Sequence, residues 1–177
     1  MASVLQGKTD NFDSDVFSPL VKKVSEISNT DNLTDPSLKV IADHIRASAF
    51  LISEGITPKN EGRGYVLRRI IRRALRHCHK LKIESPVLSD LIPTLVKSMG
   101  TAYPDLKKNS NLIKANLLRE EEQFSSTLVQ GMKLLKEEIK GFSGKVLPAD
   151  LVFKLYDTYG FPLDTVSYTH LTLPTKA

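Results

Sequence analysis

Hydrophobic residues recur at helical spacing along most of the chain, in stretches separated by Gly, Pro or polar residues. A first helix is predicted to begin near Asp15, because Pro19 is tolerated only in the first turn of a helix. Asp35 and Pro36 predict the start of a second helix, since Asp caps free backbone N–H groups and Pro fits the first helical position. Gly55 predicts its end.

Further helices are predicted along the rest of the chain. One has these apolar residues on its inner face: Val66, Leu67, Ile70, Ile71, Ala74, Leu75 and Cys78. The next covers residues 88–99, where Pro93 predicts a kink or a break. A long helix is predicted from Pro104 to Gly141, and a short one opens at Pro148. Because strand signals are almost absent, the predicted fold class is all-α, arranged like a helical bundle.

Basic residues are concentrated in one of these helices. The chain carries a formal charge of +5, which permits binding to a polyanion but does not establish it. Of its 25 Lys and Arg residues, eight lie between Lys59 and Lys80, together with one acid, Glu61. The arginines in this helix are Arg63, Arg68, Arg69, Arg72, Arg73 and Arg76. All except Arg63 recur in steps of four, which predicts that these five share its outer half.

Three interpretations of this arginine helix are open. Clustered arginines can bind the phosphates of a nucleic acid, because the planar guanidinium donates two parallel hydrogen bonds. They can instead form a solvated or salt-bridged face, or an interaction surface for an acidic protein, with their aliphatic stems covering apolar neighbours. An anionic membrane surface is the third possibility.

Two polar segments are candidate contact sites. In Asn60-Glu-Gly-Arg-Gly64 the two glycines would allow a ligand to approach the backbone, while the simpler interpretation is a turn that Asn60 caps. Gly62-x-Gly64 is too short for a dinucleotide fingerprint, and no predicted strand precedes it. Asp157 lies near a predicted helix end, where it could bond local backbone or accept from the amino group of a base.

The other polar clusters predict ordinary structural roles. His77, Cys78 and His79 point to different helix faces, so no metal site is predicted and Cys78 is expected in the core. Asp43 with His44, and the acidic run Glu120–Glu122, are expected to form solvated faces with local ion pairs. No set of residues has the pattern of a catalytic site.

Neither a secretory segment nor a run of about eighteen apolar residues is present, and the single cysteine cannot form an intrachain disulfide. These features lead us to expect a reducing compartment, the cytosol or an organelle matrix, and of these two we choose the cytoplasm.

Two long blocks resemble the signature stretches of alanyl-tRNA synthetases. They read VIADHIRASAFLISEGITPKNEGRGYVLRRIIRRALRH and KLYDTYGFPLD. The similarity extends from about residue 2 to residue 164. The resemblance implies the helical tRNA-recognition domain of a class II aminoacyl-tRNA synthetase, truncated, at residues 35–165. Residues 1–34 would be the end of the catalytic domain and a connector.

The resemblance implies a parent enzyme that attaches alanine to tRNA(Ala) with ATP. It would use ATP and Mg²⁺ in its catalytic domain and zinc in its editing domain, and none of these is expected to bind the present chain. The class II catalytic motifs are not found in this sequence, so we expect the chain alone to be inactive. The expected partner is the acceptor stem of tRNA(Ala), with no membrane and no DNA.

The resemblance also implies roles for individual residues. The family reads a G:U pair in the acceptor stem with an Asn and an Asp, which match Asn60 and Asp157. A carboxylate can accept from the amino group of guanine in the minor groove, and an amide can both donate and accept there. The arginines would contact the RNA backbone without reading sequence. These are Arg63, Arg68, Arg69, Arg72, Arg73 and Arg76.

The last twelve residues, 166–177, differ from the rest in their alternation of Thr with apolar residues. One back-translation of VSYTHLTLPT resembles a sequencing adapter. We therefore expect this tail to be an artefact rather than part of the domain.

Overall fold

A computed structural model of the chain describes residues 2–83, 86–139 and 148–157. The chain divides into two compact units, Met1–Glu122 and Gln123–Ala177. The helices are α1 Ala2–Leu5, α2 Ser18–Ser28, α3 Pro36–Ser53, α4 Gly62–Lys80, α5 Leu88–Met99, α6 Pro104–Lys108, α7 Ser110–Ile139 and α8 Ala149–Asp157. A 3-10 turn spans Asn11–Asp13. No strand occurs among the described residues, and the all-α fold class is confirmed.

Helix α3 lies at the centre of the first unit and packs against α2, α4, α5 and α6. Its inner face buries Leu38, Ile41 and Ile45, together with the polar side chain of Ser48. Other helices bury the following side chains in this unit: Leu20, Val24, Leu67, Ile71, Leu88, Leu91, Ile92 and Leu95. Removing this apolar surface from water provides the main driving force for packing the helices.

The predicted boundaries of α3 are confirmed. The Ser37 N–H donates to Asp35 Oδ1 at 2.7 Å, and Pro36 occupies the first turn. Gly55 follows the helix with a φ of 86°, a left-handed conformation that glycine adopts without steric cost. In α2, Pro19 lies in the first turn as predicted, although the helix begins at Ser18 rather than near Asp15.

Pro93 was predicted to kink or to break helix α5. The helix continues through Pro93 without a break. Proline removes one N–H from the hydrogen-bond ladder. Because Pro93 is exposed, the carbonyl that loses its partner lies on the solvent side, where water can bond it.

The long helix predicted from Pro104 is divided at Asn109 into α6 and α7. Asn109 Nδ2 donates to the carbonyl oxygen of Ser53 at 3.3 Å and to its Oγ at 3.0 Å. Since Ser53 is the last residue of α3, Asn109 ties the helix break to a neighbouring helix end. The prediction of one continuous helix was wrong for this reason.

Helix α7 begins in the first unit and ends in the second, which also contains α8. The segment after Asp157, including the predicted end of α8 and the tail at residues 166–177, lies outside the described residues. The expected domain limits, residues 1–34 and 35–165, stay predictions.

Candidate nucleic-acid interface

The arginines of α4 differ in exposure. Its inner face buries Leu67, Ile71, Ala74, Leu75 and Cys78. Arg63, Arg69 and Arg73 are exposed, whereas Arg68, Arg72 and Arg76 are partly buried. Five arginines were predicted to share the outer half of α4. Of these, Arg69 and Arg73 are exposed, and the other three are partly buried. Val66, predicted to point inward, is 55% exposed.

Arg68 and Arg72 form a salt bridge with a single buried carboxylate. The Nε atoms of Arg68 and Arg72 lie 3.1 and 2.8 Å from Glu120 Oε1. Arg68 Nε also lies 3.2 Å from Oε2 of the same group. Glu120 is 2% exposed, so the expectation that it belongs to a solvated face was wrong. A buried carboxylate requires such charged partners, because burial without them would be very costly.

Glu121 is equally buried but has a different role. The backbone N–H groups of Val87 and Leu88 donate to its two carboxylate oxygens at 2.9 and 3.2 Å. These N–H groups belong to the start of α5, where unpaired donors and the helix dipole favour a negative charge. Glu121 thus caps α5 from α7, and the expectation of a solvated residue was wrong here as well.

The loop before α4 presents Asn60 to solvent. Arg68 Nη1 donates a hydrogen bond to Asn60 Oδ1. The residue that precedes α4 is Glu61, whose side chain makes no capping hydrogen bond. The interpretation of Asn60 as the helix cap was therefore wrong. Its side chain instead bonds an arginine two turns along the helix.

Gly64 allows this loop to pack against the start of α4. A Cβ atom at Gly64 would lie 2.5 Å from the carbonyl oxygen of Thr57 and 2.8 Å from Lys59 Cβ. The Lys59 N–H donates to the Gly64 carbonyl oxygen at 3.1 Å. Gly64 is thus needed for close approach of the protein's own backbone. The other glycine, Gly62, has a φ of 56°, and a Cβ added there would meet no atom within 4 Å.

A line of side chains follows the exposed surface of α4 in steps of four, and we call Tyr65, Arg69 and Arg73 the outer stripe. The guanidinium carbon of Arg69 lies 5.8 Å from the centre of the Tyr65 ring. This contact is within the range of a cation–π interaction, which orients the guanidinium without neutralising its charge. The outer stripe therefore presents two positive charges, one of them supported by an aromatic ring.

Two histidines border the arginines. Burial, followed by the charges of Arg76, Arg73 and Lys80, lowers the pKa of His77 to about 4. Burial also lowers the pKa of His44, although its contact with Asp43 opposes this shift. His77 is therefore uncharged at neutral pH, and burial favours the neutral form of His44.

Cys78 is 3% exposed, and its predicted place in the core is confirmed. Burial is the main reason that the pKa of its thiol rises to about 12, which leaves it protonated at neutral pH. In the described part of the chain, no group of three or more His, Cys, Asp or Glu residues is placed to hold a metal ion.

Asp157 is the last residue of α8, in the second compact unit. Its side chain lies outside what the structure describes, so the pairing of Asp157 with Asn60 stays a prediction. None of the helices in the described ranges is long and apolar enough to cross a membrane.

Comparison with known proteins identifies the family. A family profile described as "tRNA synthetases class II (A)" matches residues 1–170. Over 164 residues the chain is 52% identical to an alanine-tRNA ligase of Hydrogenovibrio crunogenus and 54% identical to one of Chromohalobacter salexigens. Each alignment covers 93% of this chain and 19% of the relative. The predicted resemblance is confirmed, and the chain belongs to the class II tRNA synthetases.

Proposed function

We propose that the chain is the part of an alanine-tRNA ligase that binds the acceptor stem of tRNA(Ala). The observation that carries this proposal is the arrangement along α4, where Asn60 lies just before the helix and the outer stripe follows it. Such an arrangement combines one polar side chain able to reach a base edge with positive charges able to contact phosphates. The named relatives support the choice of tRNA over other polyanions.

The six arginines of α4 contribute unequally to RNA binding. Arg63, Arg69 and Arg73 are exposed and contact the RNA backbone. Arg68 and Arg72 add positive charge, but the salt bridge with Glu120 directs their Nε atoms into the protein. Arg76 is partly buried and adds to the field at the end of α4. These contacts hold the stem in place without selecting its sequence.

Selection of the G:U pair is assigned to Asn60 and Asp157. Arg68 donates a hydrogen bond to Asn60 Oδ1, so the amide nitrogen of Asn60 is turned to other partners. In the complex this nitrogen donates to an acceptor in the minor groove. The Asp157 carboxylate complements it by accepting from the guanine amino group. The wide, shallow minor groove of an RNA helix makes such groups accessible.

In the parent enzyme this recognition would serve the attachment of alanine to tRNA(Ala). We propose that the parent uses ATP with Mg²⁺ for that reaction and zinc in an editing domain. No residue of the described surface is assigned to ATP, alanine or a metal. The proposed compartment is the cytoplasm, where the tRNA partner is found.

The test compares two RNA hairpins that differ only in a G:U or a G:C pair at the third position of the stem. Asn60→Ala should lower the ratio of the two affinities about fivefold, the loss expected for one hydrogen bond. Binding to the G:C hairpin should change little. Equal losses on both hairpins would contradict a base-reading role for Asn60.

An acidic protein is the competing partner class for the same arginines. Competition separates the two possibilities. If an acidic protein domain displaced the hairpins at moderate salt, while a neutral-surface control protein did not, the assignment of α4 to RNA would be wrong.

A further inference from the structure

We infer that Glu120 is a positioning residue for base recognition, acting through Arg68 on the side chain of Asn60. The inference rests on the proposed function of Asn60. We call Glu120, Arg68 and Asn60 the relay. Its members come from three places in the chain: α7, α4 and the loop before α4.

The relay begins at the Glu120 carboxylate, which two arginines contact. Arg72 Nε lies 2.8 Å from Glu120 Oε1, and Arg68 Nε lies 3.1 Å from the same atom. The side chain of Glu120 is 3% exposed, and those of Arg68 and Arg72 are each 13% exposed. Side chains packed to this degree have little rotamer freedom, so Glu120 provides a fixed anchor for both guanidinium groups.

The planarity of the guanidinium transmits this anchor to the surface. Its donors lie in one rigid plane, so holding the Nε–H group in place restricts where the Nη atoms can lie. With Arg68 Nε held by Glu120, Nη1 is directed at Asn60 Oδ1. A lysine could not do this, because its single ammonium group cannot span the two partners with the same fixed geometry.

The relay also determines which end of the Asn60 amide faces a ligand. With Oδ1 bonded to Arg68, Nδ2 is turned to other partners and Asn60 acts as a hydrogen-bond donor. The matching group on RNA is a minor-groove acceptor, such as a pyrimidine O2 or a purine N3. Without the relay the amide can rotate and present either end, so it would discriminate less well between pairs that place these acceptors differently.

A purely structural role, fastening α7 to α4, would involve the same salt bridge. Glu121 provides the matched control, since it is the next residue, is equally buried at 2% and bonds Val87 and Leu88 instead. Loss of either carboxylate should reduce stability. Only the loss of Glu120 should change the mobility of the Asn60 side-chain amide and its contribution to the preference for G:U.

The experiment compares Glu120→Gln and Glu121→Gln in the full 177-residue chain. The first readout is the affinity ratio for the G:U and G:C hairpins. The second is the mobility of the Asn60 side-chain amide, measured by ¹⁵N relaxation without RNA. Glu120→Gln should lower the ratio about fivefold and make the amide mobile, as expected when one orienting hydrogen-bond network is lost. Glu121→Gln should leave both readouts at the wild-type value.

A rigid Asn60 amide and an unchanged ratio in Glu120→Gln would overturn the inference. If Glu120→Gln does not fold, Arg68→Lys is the alternative variant. It keeps the positive charge at position 68 and should make the Asn60 amide mobile. A wild-type chain with no preference for G:U would contradict the proposed function. In that case the amide measurement alone decides whether the relay exists, because it needs no RNA.

Discussion

Gly64 shows how one residue sets the geometry of the loop before α4. In most helices, replacing glycine by alanine stabilises the fold by about 0.5–1 kcal/mol, because glycine loses more backbone entropy on folding. At Gly64 the added Cβ would lie 2.5 Å from the Thr57 carbonyl oxygen, which is too close for any real contact. The segment before Asn60 would therefore have to move.

We predict that Gly64→Ala destabilises the chain by about 1–3 kcal/mol, the usual cost of inserting a methyl group into a filled space. Urea unfolding measures this change directly. Val66→Ala is the control for the start of α4, since its side chain is 55% exposed and should have a small effect. A more stable Gly64→Ala variant would show that Thr57 and Lys59 do not pack on this glycine.

At the residue scale, sequence reasoning found the basic residues but not their partners. Glu120 lies 52 residues from Arg68, and spacing along the chain carries no information about such pairs. A signal was nevertheless present. Ile113, Leu117 and Phe124 are buried at helical spacing, and position 120 falls on that same face. An acidic residue within an apolar face predicts a buried, paired carboxylate.

The helices themselves were largely predictable, because their starts depend on neighbouring residues. Asp35 and Pro36 define the start of α3 by local capping chemistry, and the structure confirms it. The division between α6 and α7 was not predictable, since it depends on Asn109 reaching Ser53, 56 residues away. The cap of α5 likewise comes from a different helix, through Glu121.

The break at Asn109 gives a prediction at the scale of helices. Asn109→Ala should cost about 0.5–1.5 kcal/mol, the net value of a typical hydrogen bond. Ser53→Ala should cost less, because the Ser53 carbonyl remains as an acceptor. A double-mutant cycle by urea unfolding measures the coupling between the two side chains. Fully additive effects would contradict the contact between Asn109 and Ser53 Oγ.

At the scale of the whole molecule, the positive charge is divided between an internal and an external role. Arg68 and Arg72 stabilise a buried carboxylate, while Arg69 and Arg73 remain at the surface of α4. The sequence predicted the charged helix, but only the packing of α7 separates these roles. The resemblance to alanyl-tRNA synthetases is the reason that RNA is the proposed partner, since charge alone left the partner open.

The measurement that tests this account most directly is the salt dependence of binding to the G:U hairpin. The logarithm of the affinity falls linearly with the logarithm of the salt concentration, and each phosphate contact makes this slope steeper by about one unit. Arg73→Gln should therefore flatten the slope by about one unit and weaken binding to both hairpins alike. Lys107→Gln, at an exposed basic residue of α6, is the control and should keep the wild-type slope. Equal slopes for the wild type and Arg73→Gln would contradict the claim that the outer stripe of α4 contacts RNA.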